Sequence, residues 1–174
     1  MELLIVVDMQ KDFIDGALGT KEAQAIVDNV IAQIEDFSGE VVFTMDTHEE
    51  HYLNTQEGQN LPVIHCIKGS DGWQLNERIQ AVAKKKNSRI FEKPTFGSMD
   101  LAQYVKSLYQ EKGLSKVTLV GLCTDICVIS NAILIKAAVP ELMIEIRENC
   151  CAGVTIESHK NALEAMKMCQ IKVV

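Results

Sequence analysis

No apolar run in this chain reaches the roughly 20 residues that a membrane-spanning helix needs. Positive charge is also scarce. Lysine and arginine number 17 against 24 aspartates and glutamates, a formal net charge of −7. That balance opposes a phosphate backbone and an anionic lipid surface, which argues against nucleic acid or membrane partners. The opening residues, MELLIVVDMQKDF, carry no basic segment and no small-residue cleavage site. The expectation is therefore a cytoplasmic protein without a signal peptide. The six cysteines include no C-x-x-C pair, and no internal repeat or low-complexity stretch occurs. What remains is ordinary globular composition: 174 residues, 47% hydrophobic and 24% charged. One domain spanning 1–174 is expected, large enough to bury roughly 70% of its unfolded surface without disulfides. Most of the cysteines then read as small buried hydrophobes.

Short apolar runs alternate with helical periods. Leu3–Val7 (LLIVV) suits a strand buried on both faces, and Val41–Met45, Arg89–Phe91, Val117–Val120, Leu142–Ile146 and Ile171–Val174 follow it. Between them, Ala23, Ile26, Val27, Val30, Ile31, Ile34 and Phe37 share one helix face, with Thr20 as N-cap. Further helices are expected over Leu75–Val82, Leu101–Leu108 and Ile126–Ala138, and around Ala162–Met166. This alternation predicts a three-layer α/β/α fold with a six-stranded, mainly parallel sheet. The Lys84–Lys86 run reads as a solvated helix end. The longest irregular stretch, Thr47–Gly72, follows the second strand and so falls at the carboxyl edge of the sheet, where open α/β folds bind ligands.

Three chemistry-bearing side chains fall at strand ends. Asp8 follows the first strand, Lys93 the third, and Cys127 lies just past the fourth. Gly121 is expected to end that fourth strand. Thr124 or Asp125 is expected to cap the next helix, placing Cys127 in its first turn, where free N–H groups favour a thiolate or an oxyanion. Cys127 reads as a nucleophile or a packed cysteine. Asp8 and Lys93 read as a structural ion pair or as a general base with an electrostatic helper. A disulfide-based redox role for Cys123 and Cys127 is disfavoured, because C-x-x-x-C at a helix start is awkward for the bond. In the long loop, Asp46 and His48 alternate along extended chain and can face one point, with Glu57 and His65 further on. These four suit zinc, iron or manganese, or are scattered surface polars; His51 is an alternative ligand. His159 reads as a capping or packing residue, Asp12 as a loop anchor, and Phe13 and Trp73 as core or pocket mouth.

Taken together, VVDMQKDF, the lysine after the third strand, and VGLCTDICV resemble the isochorismatase-like cysteine hydrolases, which include the nicotinamidases. The ending, with Ala152-Gly153, Thr155 and His159, is also similar to the family's closing segment. The resemblance implies a catalytic triad of Asp8, Lys93 and Cys127. It further implies a cis peptide at Leu122–Cys123, an oxyanion hole from the N–H groups of Cys123 and Cys127, and a pocket that includes Phe13, Leu122 and Phe96. It implies a divalent metal, zinc first, with iron or manganese as alternatives, on Asp46, His48, Glu57 and His65. The implied activity is hydrolysis of a small amide through a thioester, with nicotinamide giving nicotinate and ammonia. Carbamoyl or ureido amides are the alternative substrates, and a non-catalytic binding module is the alternative class. Relatives of this kind assemble, so a homo-oligomer is expected. The sequence departs from the family after the lysine: Lys93-Pro-Thr-Phe96-Gly-Ser98-Met99 puts Met99 where an aromatic is expected to stack on the substrate.

Overall fold

The computed structural model describes residues 1–174. Its strands are β1 (Glu2–Val7), β2 (Glu40–Asp46), β3 (Arg89–Lys93), β4 (Lys116–Leu122), β5 (Met143–Ala152) and β6 (Lys172–Val173). They form a single sheet in the order β3-β2-β1-β4-β5-β6. Every pairing is parallel, so the "mainly parallel" expectation becomes wholly parallel. The helices are α1 (Lys11–Ile14), α2 (Lys21–Ala25), α3 (Val27–Asp36), α4 (Gln56–Asn60), α5 (Glu77–Lys85), α6 (Met99–Lys112), α7 (Ile129–Ala138) and α8 (Ile156–Met168). No helix is long and apolar enough to cross a membrane.

The unbroken apolar run of β1 divides between two layers by simple alternation. Leu3, Ile5 and Val7 pack with α6, α7 and α8, through residues such as Leu101, Val105, Ala132, Ile135 and Met166. Leu4 and Val6 pack on the other face with Val27, Val30 and Ile34 of α3 and Ile79 and Val82 of α5. Strand order reverses at β1 and β4, which places a crevice at their carboxyl ends.

Element boundaries differ from the sequence reading where local chemistry overrides pattern. The single helix expected over Ala23–Phe37 is broken at Ile26 into α2 and α3, although Thr20 caps it as expected, accepting from the Ala23 N–H at 3.0 Å. β3 runs two residues further than expected. Met45 pairs with Glu92 and Asp46 with Lys93, so Lys93 is the strand's last residue and does not follow it. β5 is longer because its register against β4 shifts between Leu119 and Gly121, and the exposed Glu148–Asn149 segment interrupts the apolar pattern. Lys84 and Lys85 do end a helix, and Lys86 continues past it to bond the Glu35 and Phe37 carbonyls.

Gly121 sits where β1 and β4 approach closely. Its φ is +115°, and a Cβ there would lie 2.1 Å from Val7 O. Gly121→Ala therefore combines backbone strain with a clash against main chain. It is expected to lower stability by roughly 3 kcal/mol in urea denaturation.

Candidate active site

Asp8 follows directly on β1 with a left-handed φ of +47°. Its N–H reaches Thr44 O at 3.2 Å and Thr44 Oγ1 at 3.3 Å. The Thr44 hydroxyl donates to Asp8 Oδ1 at 2.6 Å, and Lys93 Nζ approaches Asp8 Oδ2 at 2.7 Å. Lys93 is 1% exposed and also lies 3.3 Å from Asp46 Oδ1 and 3.4 Å from Cys127 Sγ, while donating to Thr95 O at 3.0 Å. The three residues drawn from separate strand ends thus meet at one point, with the lysine between two carboxylates and the thiol.

Burial governs the electrostatics here. It raises the Asp8 carboxyl above the usual range against the pull of Lys93. It pushes the Cys127 thiol far up, and Asp8 adds to that rise while Lys93 opposes it. Burial alone would discharge Lys93, yet the charges of Asp8 and Asp46 hold its ammonium above the ordinary value. The resting arrangement is an ammonium beside carboxylates with a neutral thiol.

Cys127 does not stand in a capped α-turn. The Leu122–Cys123 peptide is cis, and Thr124–Val128 forms a π-helical turn ahead of α7. Neither Thr124 nor Asp125 caps it. The Thr124 hydroxyl pairs with His159 Nδ1 at 2.7 Å, and both Asp125 oxygens accept from the Val154 N–H at 3.2 Å. Both residues are engaged elsewhere because α8 and the connection that precedes it offer them partners. Burial pushes the Cys123 thiol up to about 12, so it stays protonated. Asn131, buried on α7, donates to Cys127 O at 2.8 Å and Phe96 O at 3.3 Å, and accepts from the Ser98 N–H at 2.9 Å. It ties the turn that carries Cys127 to the segment that follows Lys93.

The second constellation gathers beside the first. Asp46 Oδ2 is 2.9 Å from His48 Nε2 and 3.6 Å from His65 Nε2. Glu57 Oε1, on α4, lies 3.5 Å from His48 Nε2 and 4.0 Å from His65 Nε2. One ligand atom from each of the four residues falls within 4.8 Å of all the others. Two observations show that this donor set fits a divalent metal. His48 Nε2 is buried without a hydrogen bond. His65 Nδ1 contacts Val63 O at 2.8 Å, and since a carbonyl only accepts, that nitrogen carries the proton and turns the Nε2 lone pair to the cluster. Burial would raise Asp46, but the His48 and His65 imidazoles beside it and the Lys93 charge hold it below the usual carboxylate range. Gln10 fixes Asp46 from behind, taking its N–H at 2.7 Å and giving to its carbonyl at 2.8 Å. Tyr52 packs against both histidine rings, at centroid distances of 4.6 and 5.0 Å. His51 is exposed and stands outside the group.

A cavity of about 220 Å³ joins the two constellations. Phe13, Leu122 and Phe96 all line it, as do Cys123, Cys127, Asp46, Glu57 and His65. Trp73 does not; it packs in the core and donates to Thr47 Oγ1 at 2.9 Å. Met99 is 71% exposed at the start of α6 and is no part of the wall, so the aromatic that the segment after Lys93 brings to the cavity is Phe96. Asp12 anchors the long loop, accepting from the Cys66 N–H at 2.7 Å. Sequence reading missed Leu61, Ile126 and Val154 in the wall, and Thr44 and Asn131 behind it. A polar residue in an apolar strand was the available signal for Thr44.

Removing the ammonium would leave Asp8 and Asp46 facing each other without a counter-charge. Lys93→Ala is therefore expected to cost about 3–5 kcal/mol in denaturant-midpoint measurements, the range for breaking a buried pair from one side. A loss below about 1 kcal/mol would show that the carboxylates do not depend on it.

Comparison with known proteins agrees with this architecture. A nicotinamidase/pyrazinamidase of Mycobacterium tuberculosis is 27% identical over all of this chain and 98% of its own length. The crystal structure of a Bacillus subtilis nicotinamidase/pyrazinamidase superposes with a TM-score of 0.84 at 28% identity, covering 99% of this chain and 98% of that one. The zinc complex of a Pyrococcus horikoshii pyrazinamidase superposes with a TM-score of 0.80 at 27% identity, with 99% and 98% covered. The isochorismatase domain model matches residues 2–174, and the chain belongs to that family.

Proposed function

We propose that this protein is a metal-assisted cysteine amidohydrolase that converts nicotinamide to nicotinate and ammonia. The observation that carries the proposal is the convergence of Asp8, Lys93 and Cys127 at one point, beside the group of Asp46, His48, Glu57 and His65, under a small apolar cavity that Cys127, Asp46, Glu57 and His65 line. The named activities and the zinc complex of the relatives support it. A divalent metal on the four ligands would supply a Lewis-acidic anchor for the ring nitrogen of the substrate.

The chain's own residues account for the chemistry. Asp8 takes the Cys127 thiol proton as sulfur bonds to the amide carbon, and the C=O electrons move to oxygen. The backbone N–H groups of Cys123 and Cys127 hold the oxyanion, an effect worth roughly 3 kcal/mol per donor. Asp8 returns the proton to nitrogen as the C–N bond breaks and ammonia leaves. Water then attacks the thioester carbon while Asp8 accepts its proton. The C–S bond breaks, and that proton goes back to sulfur. Lys93 keeps one Asp8 oxygen fixed and balances the charge that Asp8 carries between proton transfers. A raised carboxyl suits this alternation, because a base that must also act as acid works best away from the ordinary carboxylate range. The apolar wall of Phe13, Leu122 and Phe96 excludes water around the ring.

The test is ammonia release from nicotinamide by metal-loaded protein. Turnover is expected, and Cys127→Ala is expected to abolish it while leaving thermal unfolding nearly unchanged. Turnover by the alanine variant would remove the nucleophile assignment. No release by wild type would move the substrate to carbamoyl or ureido amides.

The metal is checked separately. Chelation is expected to stop turnover and added zinc to restore it. Metal analysis of His48→Ala should find the bound ion reduced from stoichiometric to trace. Full activity in chelated protein would remove the metal from the proposal.

A further inference from the structure

The connection from β5 to α8 touches the nucleophile turn twice, and the mechanism above leaves both contacts unused. Thr124, which opens the turn, is fully buried, and the hydroxyl has His159 Nδ1 as its hydrogen-bond partner at 2.7 Å. One residue on, the Asp125 carboxylate takes the Val154 N–H. Gly153 and Val154 in turn line the cavity.

The turn needs such outside support. It has no side-chain cap of its own, and α7 starts without one. Cys123 O accepts from both Ile126 N at 3.1 Å and Val128 N at 3.0 Å, the latter closing a wide π ring. Rings of that size are rare, occur as single turns, and gather at functional sites. His159 is well suited to hold one in place, because its own position is fixed. A Cβ built on Gly153 would lie 2.9 Å from the His159 N, Cα and Cβ atoms, so α8 sits directly against the end of β5. The backbone of His159 is secured by its N–H to Thr155 O at 3.0 Å, one turn into a helix closed by a capping box.

We propose that His159 is a positioning residue for Cys127: by holding the Thr124 hydroxyl, it fixes the turn that aims the thiol and its neighbouring N–H groups at the substrate carbonyl. This role rests on the amidase reading but is tested apart from it. Burial lowers the His159 imidazole below its ordinary value, which keeps it neutral and able to serve Thr124 as donor or acceptor.

The experiment uses metal-loaded protein and six forms: wild type, His159→Leu, His159→Asn, Thr124→Val, Thr124→Ser, and the double variant carrying His159→Leu and Thr124→Val. Misaiming a nucleophile costs turnover more than binding. His159→Leu and Thr124→Val should each lower kcat by about 10- to 100-fold with KM held within about twofold. Because both remove the same bond, the double variant should lose no more than the worse single one. His159→Asn, whose amide reaches the place of Nδ1, and Thr124→Ser should keep kcat within about threefold of wild type. Iodoacetamide labelling of Cys127, followed by peptide mass, should slow in the two disruptive variants and recover in the two conservative ones.

A folded His159→Leu with wild-type kcat and labelling rate would overturn the proposal. So would losses that multiply in the double variant, or conservative variants as poor as the disruptive ones. The labelling arm needs no substrate. If Cys127→Ala still hydrolysed the amide, the reading beneath would fail, and the labelling rates would still decide whether His159 positions Cys127.

Discussion

The site is organised around one buried ammonium. Lys93 lies at the end of an edge strand, yet its side chain is carried inward, where water cannot solvate it. A charge in that position stands only with partners, and three groups from other segments supply them: Asp8 after β1, Asp46 at the end of β2, and Cys127 beyond β4. Each of the two carboxylates would be costly in the same place without the lysine. The cluster is therefore mutually dependent, and it fixes the relative heights at which three strands terminate. The two extra residues of β3 follow from this, since pairing Lys93 with Asp46 delivers the ammonium between the carboxylates.

Asp46 connects this cluster to the histidines. One of its oxygens faces Lys93 and the other faces His48 and His65. The backbone of Asp46 is held from behind by Gln10, whose amide spans from the Asp46 N–H and carbonyl to the Trp73 carbonyl. The D-x-Q spacing that begins at Asp8 is thus explained by geometry: the aspartate pairs with the buried ammonium, and two residues later the glutamine fixes the backbone that carries the neighbouring carboxylate.

Much of this was legible in the sequence because it depends on period and on position relative to strands. The unbroken apolar run at Leu3–Val7 reported burial on both faces, and the alternation of strands and helices reported a parallel sheet. Asp8 and Cys127 could be placed at the carboxyl edge from their positions just beyond apolar runs. Asp46 and His48 could be paired from their spacing. What the sequence did not carry was long-range choice of partner. Thr124 and Asp125 are good caps by residue type, and they do not cap because His159 and the Val154 N–H compete for them. Met99 stays out of the wall for a local reason: Ser98 caps α6, and the residue that follows it is turned out to solvent.

The walls of the cavity come from many separate pieces of chain. Leu18, Thr20 and Ala23 stand on the segment after β1, Leu61 on the one after β2, Phe96 after β3, Ile126 after β4 and Val154 after β5. The reacting groups, by contrast, are bound to one another and to the ends of the sheet. Shape and reactivity are therefore encoded in different places. A lineage built on this scaffold can redraw what it admits by editing one loop at a time, while the machinery underneath is inherited whole.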